Sequence, residues 1–234
     1  MNEHMTQRIG IFGGTFDPVH SGHIASAQTL VDLLSLDTLY FMPCQQHPHH
    51  KHPGASPAQR VEMLDLALAD KAKLQIDDRE LKREGLSYTV DSLKAIRGEL
   101  GDDAVIIFIL GTDAFASLHQ WSRWQSLLSL ANLAIIERAG QITAAEITEP
   151  VLQKLLSQSV PTINASSGDL VQLVLEPYVI SSTALRSAFS YCNLNEQDDT
   201  QANTEEEMIN HYVPAPVVKY IDAHKLYRVY RESH

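Results

Sequence analysis

Two histidines three residues apart, His20 and His23, stand where a glycine-rich turn runs into a helical pattern. The stretch is Gly13-Gly14-Thr15-Phe16-Asp17-Pro18-Val19-His20-Ser21-Gly22-His23, preceded by the apolar run Ile9-Gly10-Ile11-Phe12 and followed by a helical pattern over Ile24–Leu34. Glycines carry no Cβ, so the backbone can turn tightly and approach a ligand closely. Imidazole donors and the free N–H groups of a helix start then converge on one point, at the positive end of the helix dipole. Such a point suits an anion. A strand, a glycine turn, two histidines and a helix together describe a cradle for nucleotide phosphates. The competing reading makes one histidine a helix cap and the other a core side chain.

A second donor set lies at Ile180-Ser181-Ser182-Thr183-Ala184-Leu185-Arg186. Hydroxyls, backbone N–H groups and the fixed fork of a guanidinium at a helix start fit a triphosphate tail. Taken alone, Ser182-Thr183 would equally serve as an N-cap, with Arg186 on a solvated face. Asp17 precedes a proline, and Asp-Pro is a common turn maker, so no catalytic part is assigned to it. His47, His49, His50 and His52 crowd six residues and invite a zinc reading. No cysteine or carboxylate accompanies them, which disfavours it, and no metal site is assigned. Glu80-Leu81-Lys82-Arg83 fits a solvated charged turn and is given no role.

The elements that must position these residues follow from hydrophobic pattern. Apolar, β-rich runs recur at Ile9–Phe12, Leu39–Met42, Leu74–Ile76, Ala104–Leu110, Leu133–Ile136 and Leu170–Leu175. The run Ala104–Leu110 is apolar throughout, as expected of a strand covered on both faces. Helical patterns separate the runs at Ile24–Leu34, Pro57–Ala69, Thr89–Leu100 and Trp121–Ala131, with Ser56-Pro57 as a helix start. This alternation predicts an α/β fold with a doubly wound parallel sheet. In such sheets ligands bind beyond the carboxyl ends of the strands, where the strand order reverses. Gly13–His23 follows the first strand, Gly111-Thr112-Asp113 the fourth and Ile180–Arg186 the sixth, so all three fall on one edge.

Two stretches look peripheral. Residues 141–168 are polar, with a short helical pattern at Val151–Leu156, and suggest a surface excursion. Residues 193–204, rich in Asn, Gln and Asp, suggest a mobile acidic loop. Pro214–Arg228 then predicts a closing helix with an apolar stripe at Val217, Val218, Ile221 and Leu226. The whole is expected to be one domain over residues 1–234: an α/β core to about residue 192, then the acidic loop and closing C-terminal helix.

Composition narrows the classes. The 234 residues are 44% hydrophobic and 20% charged, ordinary for a soluble globular protein. No apolar run approaches the roughly 18 residues a membrane helix needs. Met1–Arg8 lacks an apolar signal core, so a cytoplasmic location is expected. Cys44 and Cys192 are the only cysteines, too few for a disulfide framework. A net charge of -11 argues against nucleic-acid binding but not against a small nucleotide. The first turn is Gly10-x-x-Gly13-Gly14, not the dinucleotide-binding G-x-G-x-x-G, and no P-loop is present.

The eleven-residue string at Gly13–His23 resembles the G-G-T-F-D-P-x-H-x-G-H signature of the nucleotidyltransferase superfamily, and Ile180–Arg186 resembles its I-S-S-T-x-x-R signature. The chain is similar over nearly its whole length to the bacterial nicotinate-nucleotide adenylyltransferases. Supporting segments include Gln59-Arg60, Glu80–Arg83, Ser87-Tyr88-Thr89, Gly111-Thr112-Asp113, Trp121, Pro216-Val217 and Leu226-Tyr227-Arg228. The resemblance implies a Rossmann-like nucleotidyltransferase fold and transfer of the adenylyl group of ATP to nicotinate mononucleotide, giving deamido-NAD and pyrophosphate. It implies catalytic parts for His20, His23 and Arg186. ATP would be held by Gly13, Gly14, Thr15, Phe16, His20, His23, Gly111, Asp113, Ile180, Ser182, Thr183 and Arg186, with Mg²⁺ bridging its phosphates. Nicotinate mononucleotide would be held by His49, His50, Lys51, Ser87, Tyr88, Thr89 and Trp121. Either His50 or Lys51 takes the mononucleotide phosphate, with Lys51 favoured because an ammonium keeps its charge at neutral pH. For Trp121, core packing beside Trp124 stays an open alternative. Other acceptors within the superfamily, nicotinamide mononucleotide or phosphopantetheine, and a sensor that binds ATP without turnover, stay open as well.

Overall fold

The computed structural model describes residues 6–45, 54–83, 87–137, 143–176, 178, 180–194 and 200–228. Six strands, β1 (Arg8–Gly14), β2 (Thr38–Pro43), β3 (Leu74–Ile76), β4 (Val105–Gly111), β5 (Asn132–Glu137) and β6 (Leu170–Val174), form one sheet in the order β3-β2-β1-β4-β5-β6. Every neighbouring pair is parallel. The six apolar runs of the sequence are these strands, and the fold is the doubly wound α/β sheet they predict.

Alternation along β4 shows why its run is apolar throughout. Ile107 and Ile109 enter one core, with Phe12, Leu39 and Phe41. Ile106, Phe108 and Leu110 enter the other, with Ile9, Ile11, Leu133 and Ile135. Helices α1 (Ser21–Leu33) and α2 (Pro57–Leu68) cover the first face. The second lies under α4 (Thr89–Leu100), which follows the single turn of α3 (Arg79–Lys82), and under α5 (Thr112–Ala116), α6 (Leu127–Leu130) and α7 (Pro150–Leu156). Ser56 caps α2 as its sequence predicts: its hydroxyl accepts from the Gln59 N–H at 3.3 Å while Gln59 reaches back to the Ser56 N–H at 2.9 Å.

Three expectations need correction. The pattern over Trp121–Ala131 is not one helix: Arg123 takes a left-handed φ of 53°, and only a 3₁₀ turn and the single turn of α6 follow. Residues 141–168 are not merely a surface excursion. Ile147, Leu152 and Ile163 are buried, so the crossover from β5 to β6 contributes to both cores. Nor are residues 193–204 a loop throughout. Helix α8 (Ser182–Leu194) runs through the first two, α9 (Thr200–Tyr212) begins at Thr200, and 195–199 lie outside the described residues. The acidic residues of that stretch, Glu196, Asp198 and Asp199, lie outside the described residues; the acids of α9 are Glu205, Glu206 and Glu207, and the helix puts Met208, Ile209 and Tyr212 on the core. Helix α10 (Ala215–Ala223) is shorter than the predicted closing helix; of its expected stripe Val217 and Ile221, with Leu226 beyond the helix, are buried, and Val218 is partly buried against the core. Among the described residues no helix is long and apolar enough to cross a membrane.

The order of connection reverses between β1 and β4, which lie side by side. The carboxyl ends of these two strands, Gly13-Gly14 and Gly111, therefore flank the crevice where such sheets bind ligands.

Candidate active site

Beyond β1 the chain folds back on itself. Phe16 adopts a left-handed φ of 52° and its ring turns under the strand end, edge-on to Phe12 at 5.8 Å, Phe41 at 5.1 Å and His23 at 5.1 Å between centroids. A Cβ on Gly14 would stand 2.7 Å from that ring, so residue 14 has to be glycine for Phe16 to seat. His20 is the N-cap of α1, in extended conformation, and is almost fully buried. Its backbone N–H donates to Nδ1 of His23 at 3.4 Å, and the two imidazoles stack with centroids 3.7 Å apart. His20 thus takes the cap position of the competing reading, with His23 stacked on it. A His23 Nδ1 that accepts leaves Nε2 to carry the proton, and so to donate. Gly22 is closely packed as well: a Cβ there would lie 3.1 Å from both the His20 ring and Cβ of Tyr178, so those neighbours would have to give way.

The second motif docks on the first. Ser182 Oγ donates to the Pro18 carbonyl at 3.0 Å, and Arg186 Nη1 donates to the Asp17 carbonyl at 2.6 Å. Arg186 Nη2 also reaches Thr183 Oγ1 at 3.2 Å, while Ser181 Oγ caps α8 by accepting from Ala184 N–H at 3.1 Å. Gly13 to Phe16, His20, His23, Ile180, Ser182, Thr183 and Arg186 therefore meet at the sheet edge that the sequence assigns to them. Gly111 and Asp113 sit at the neighbouring end of β4 and the first turn of α5, with Asp113 exposed. His49, His50 and Lys51 lie outside the described residues.

Ser87, Tyr88 and Thr89 open α4. Arg123 ties that helix start to the segment after Trp121: it forms a two-pronged ion pair with Asp91 at 2.9 and 2.7 Å, and its guanidinium lies 5.7 Å from the Tyr88 ring centre. Trp121 itself packs edge-on to Phe108 at 6.3 Å and donates from Nε1 to Ser117 Oγ at 3.4 Å. Part of its surface belongs to the second core, part remains open.

Other residues in this region were given no role from sequence. Asp17 is buried at 2% exposure, and its carboxylate accepts from Gly54 N–H (2.8 Å), Ala55 N–H (3.2 Å) and the Tyr227 hydroxyl (2.7 Å). Arg60, fully buried, donates to the carbonyls of Thr15 (2.8 Å), Cys44 (2.8 Å) and Gln45 (3.2 Å), joining the turn after β1 to the segment after β2. Its trace in the sequence is a charge on the apolar stripe of α2, in step with Met63, Leu64 and Ala67. Glu80 is no solvated turn residue: it is buried, accepts from Ser92 Oγ at 2.9 Å, and burial pushes its carboxyl above the usual range. Arg83 bridges Ser92 (3.3 Å) and Ser87 (3.2 Å) beside it. Burial likewise raises the Cys44 thiol, whose sulfur lies 3.7 Å from Thr15 Oγ1.

Comparison with known proteins agrees with this geometry. Residues 11–188 match the cytidylyltransferase-like family. A probable nicotinate-nucleotide adenylyltransferase of Cellvibrio japonicus is 41% identical over 228 residues, covering 96% of this chain and 100% of the relative. One from Chromobacterium violaceum is 37% identical over the same shares. The chain belongs to the cytidylyltransferase-like family and, within it, to the nicotinate-nucleotide adenylyltransferases. Among solved structures, the nicotinic acid mononucleotide adenylyltransferase of Plasmodium falciparum, complexed with NaAD, has the same fold: TM-score 0.69 at 19% identity, covering 94% of this chain and 97% of that one.

Proposed function

We propose that the chain transfers the adenylyl group of ATP to nicotinate mononucleotide, producing deamido-NAD and pyrophosphate. The observation that carries this reading is the junction of the two donor sets, with Ser182 and Arg186 bonded to the Pro18 and Asp17 carbonyls next to the stacked His20 and His23. All are donors of neutral or positive charge, beyond the carboxyl ends of β1 and β4. That is the chemistry a triphosphate needs.

In the proposed reaction a phosphate oxygen of the mononucleotide attacks the α-phosphorus of ATP. The bond from that phosphorus to the bridging oxygen breaks, and pyrophosphate leaves with the electron pair. No side chain needs to form a covalent bond, so the protein contributes by positioning and charge stabilisation. His20 and His23 donate to the phosphates, and Arg186 meets the negative charge that grows on the leaving group. Mg²⁺ arrives as part of the substrate, MgATP. The Asp17 carboxylate is already committed to three protein donors, and the donor set around it fits the anion and leaves the ion to the phosphates. At the acceptor side, Tyr88 and Trp121 offer aromatic surface for a pyridine ring, and the start of α4 offers N–H groups for its carboxylate.

The test is pyrophosphate release from MgATP with nicotinate mononucleotide, nicotinamide mononucleotide or phosphopantetheine offered separately. The nicotinate form is expected to be used far faster than the others. Preference for another acceptor overturns the substrate, and ATP binding without release under any condition overturns the activity.

A further inference from the structure

We propose that Tyr227 is a positioning residue for Arg186, acting through Asp17. This rests on the assignment of Arg186 to the triphosphate. Asp17 faces two ways. Its carbonyl accepts from Arg186 Nη1 at 2.6 Å, and its carboxylate accepts from Tyr227, 210 residues later, at 2.7 Å. Beside the Asp17 carbonyl, the Arg186 guanidinium is held by a 3.2 Å bond to Thr183 Oγ1, on the same helix turn. The peptide of residue 17 is thus what ties the arginine to the phosphate turn.

Holding that peptide still requires holding its side chain. A buried carboxylate that loses a donor keeps its desolvation penalty, so the residue shifts toward whatever donors remain. Here those are Gly54 N–H and Ala55 N–H, in the segment just before α2. Losing the tyrosine hydroxyl would therefore pull Asp17 toward Gly54 and Ala55 and away from Arg186.

Tyr227 is built into this place at a cost. Its φ is 61°, in the left-handed region that bulky side chains rarely occupy. Such a conformation persists where the surroundings over-determine it. Its ring packs against Phe189 of α8 at 5.8 Å between centroids, which is on the same helix as Arg186. Burial, together with the neighbouring Asp17 charge, pushes its hydroxyl well above the ordinary tyrosine range, so it remains a donor at every working pH. One side chain thus touches both the helix that bears the arginine and the turn that anchors it.

The experiment is a double-mutant cycle of Tyr227→Phe with Arg186→Lys in the full chain, read as equilibrium binding of ATP and as kcat and KM for pyrophosphate release. Tyr227→Phe keeps the ring packing and removes only the hydroxyl. It is expected to lower kcat/KM for ATP about tenfold, the scale of one hydrogen bond to a charged group, and to weaken ATP binding. In the Arg186→Lys background the same change should cost less than about twofold, because the group being positioned is already gone. Asp17→Asn, which keeps the shape and weakens the bonds, should lower kcat/KM in the same direction without unfolding the chain, and serves if Tyr227→Phe does not fold. Equal effects of Tyr227→Phe in both backgrounds, or a lower Tm with unchanged kinetics, would overturn the proposal. Should wild type bind ATP without releasing pyrophosphate, the adenylyl-transfer reading falls, while the cycle measured on ATP binding still decides the part of Tyr227.

Discussion

His20 caps a helix, is 4% exposed and stacks on His23, so its replacement tests structure and chemistry at once. Removing one preorganised donor to developing charge typically costs about 10²–10³ in turnover. His20→Ala is therefore expected to lower kcat by that order while Tm falls only a few degrees, read by pyrophosphate release and calorimetry. A collapse of Tm with preserved specific activity would make it a cap alone. Glu80 supplies a test by pH. Burial raises its folded pKa above the ordinary 4.5, against the opposing pull of Ser92 and Arg83. The folded state then holds its proton more tightly than the unfolded chain, so this group costs stability as pH climbs from about 4.5 through the folded pKa. Glu80→Gln should gain stability relative to wild type over that rise, measured as the difference in denaturant midpoint at pH 5 and pH 8. The motif residues were legible because their spacing is tied to backbone geometry. Asp17 and Glu80 were not, since a carboxylate before proline or in a charged run looks solvated until distant donors are placed around it.

At the scale of elements, α2 does more than cover the sheet. Through Arg60 it clamps three carbonyls, at Thr15, Cys44 and Gln45, that belong to the segments leaving β1 and β2. Lysine keeps the charge but cannot reach three acceptors in a fixed fork. Leaving buried carbonyls unpaired costs about 1–3 kcal/mol each. Arg60→Lys should thus lose roughly 3 kcal/mol, or about 6–12 °C in Tm, and slow turnover, both measurable on one preparation. The strands were readable as elements because burial on both faces leaves no polar position in β4. Helix α9 was not, because its apolar contacts reduce to Met208, Ile209 and Tyr212 near its end, and the acidic run ahead of them resembles unfolded chain. The pattern after Trp121 misled for the opposite reason: its apolar residues are genuine core contacts, but the left-handed Arg123 divides them.

For the whole molecule, the sheet sets the crevice at the junction of β1 and β4, and the C-terminal helices close the face beneath it. Val217, Ile221 and Leu226 are buried in the same core as Phe12, Phe41 and Ile107. Each such side chain stabilises by about 1.5–3 kcal/mol, so three together rival the roughly 5–15 kcal/mol that holds a typical domain folded. Deleting residues 214–234 is accordingly expected to abolish a cooperative melting transition, checked by calorimetry and circular dichroism. Retention of a sharp transition would show that α10 is an accessory. The contacts that anchor the turn after β1 span 169 residues from Asp17 to Arg186 and 210 from Asp17 to Tyr227. A chain growing on the ribosome meets the opposite order: its first strand and both histidines emerge early, with the arginine and the tyrosine far behind. The nascent chain must therefore extend beyond Tyr227 before the turn after β1 gains these anchors, long after both histidines have emerged.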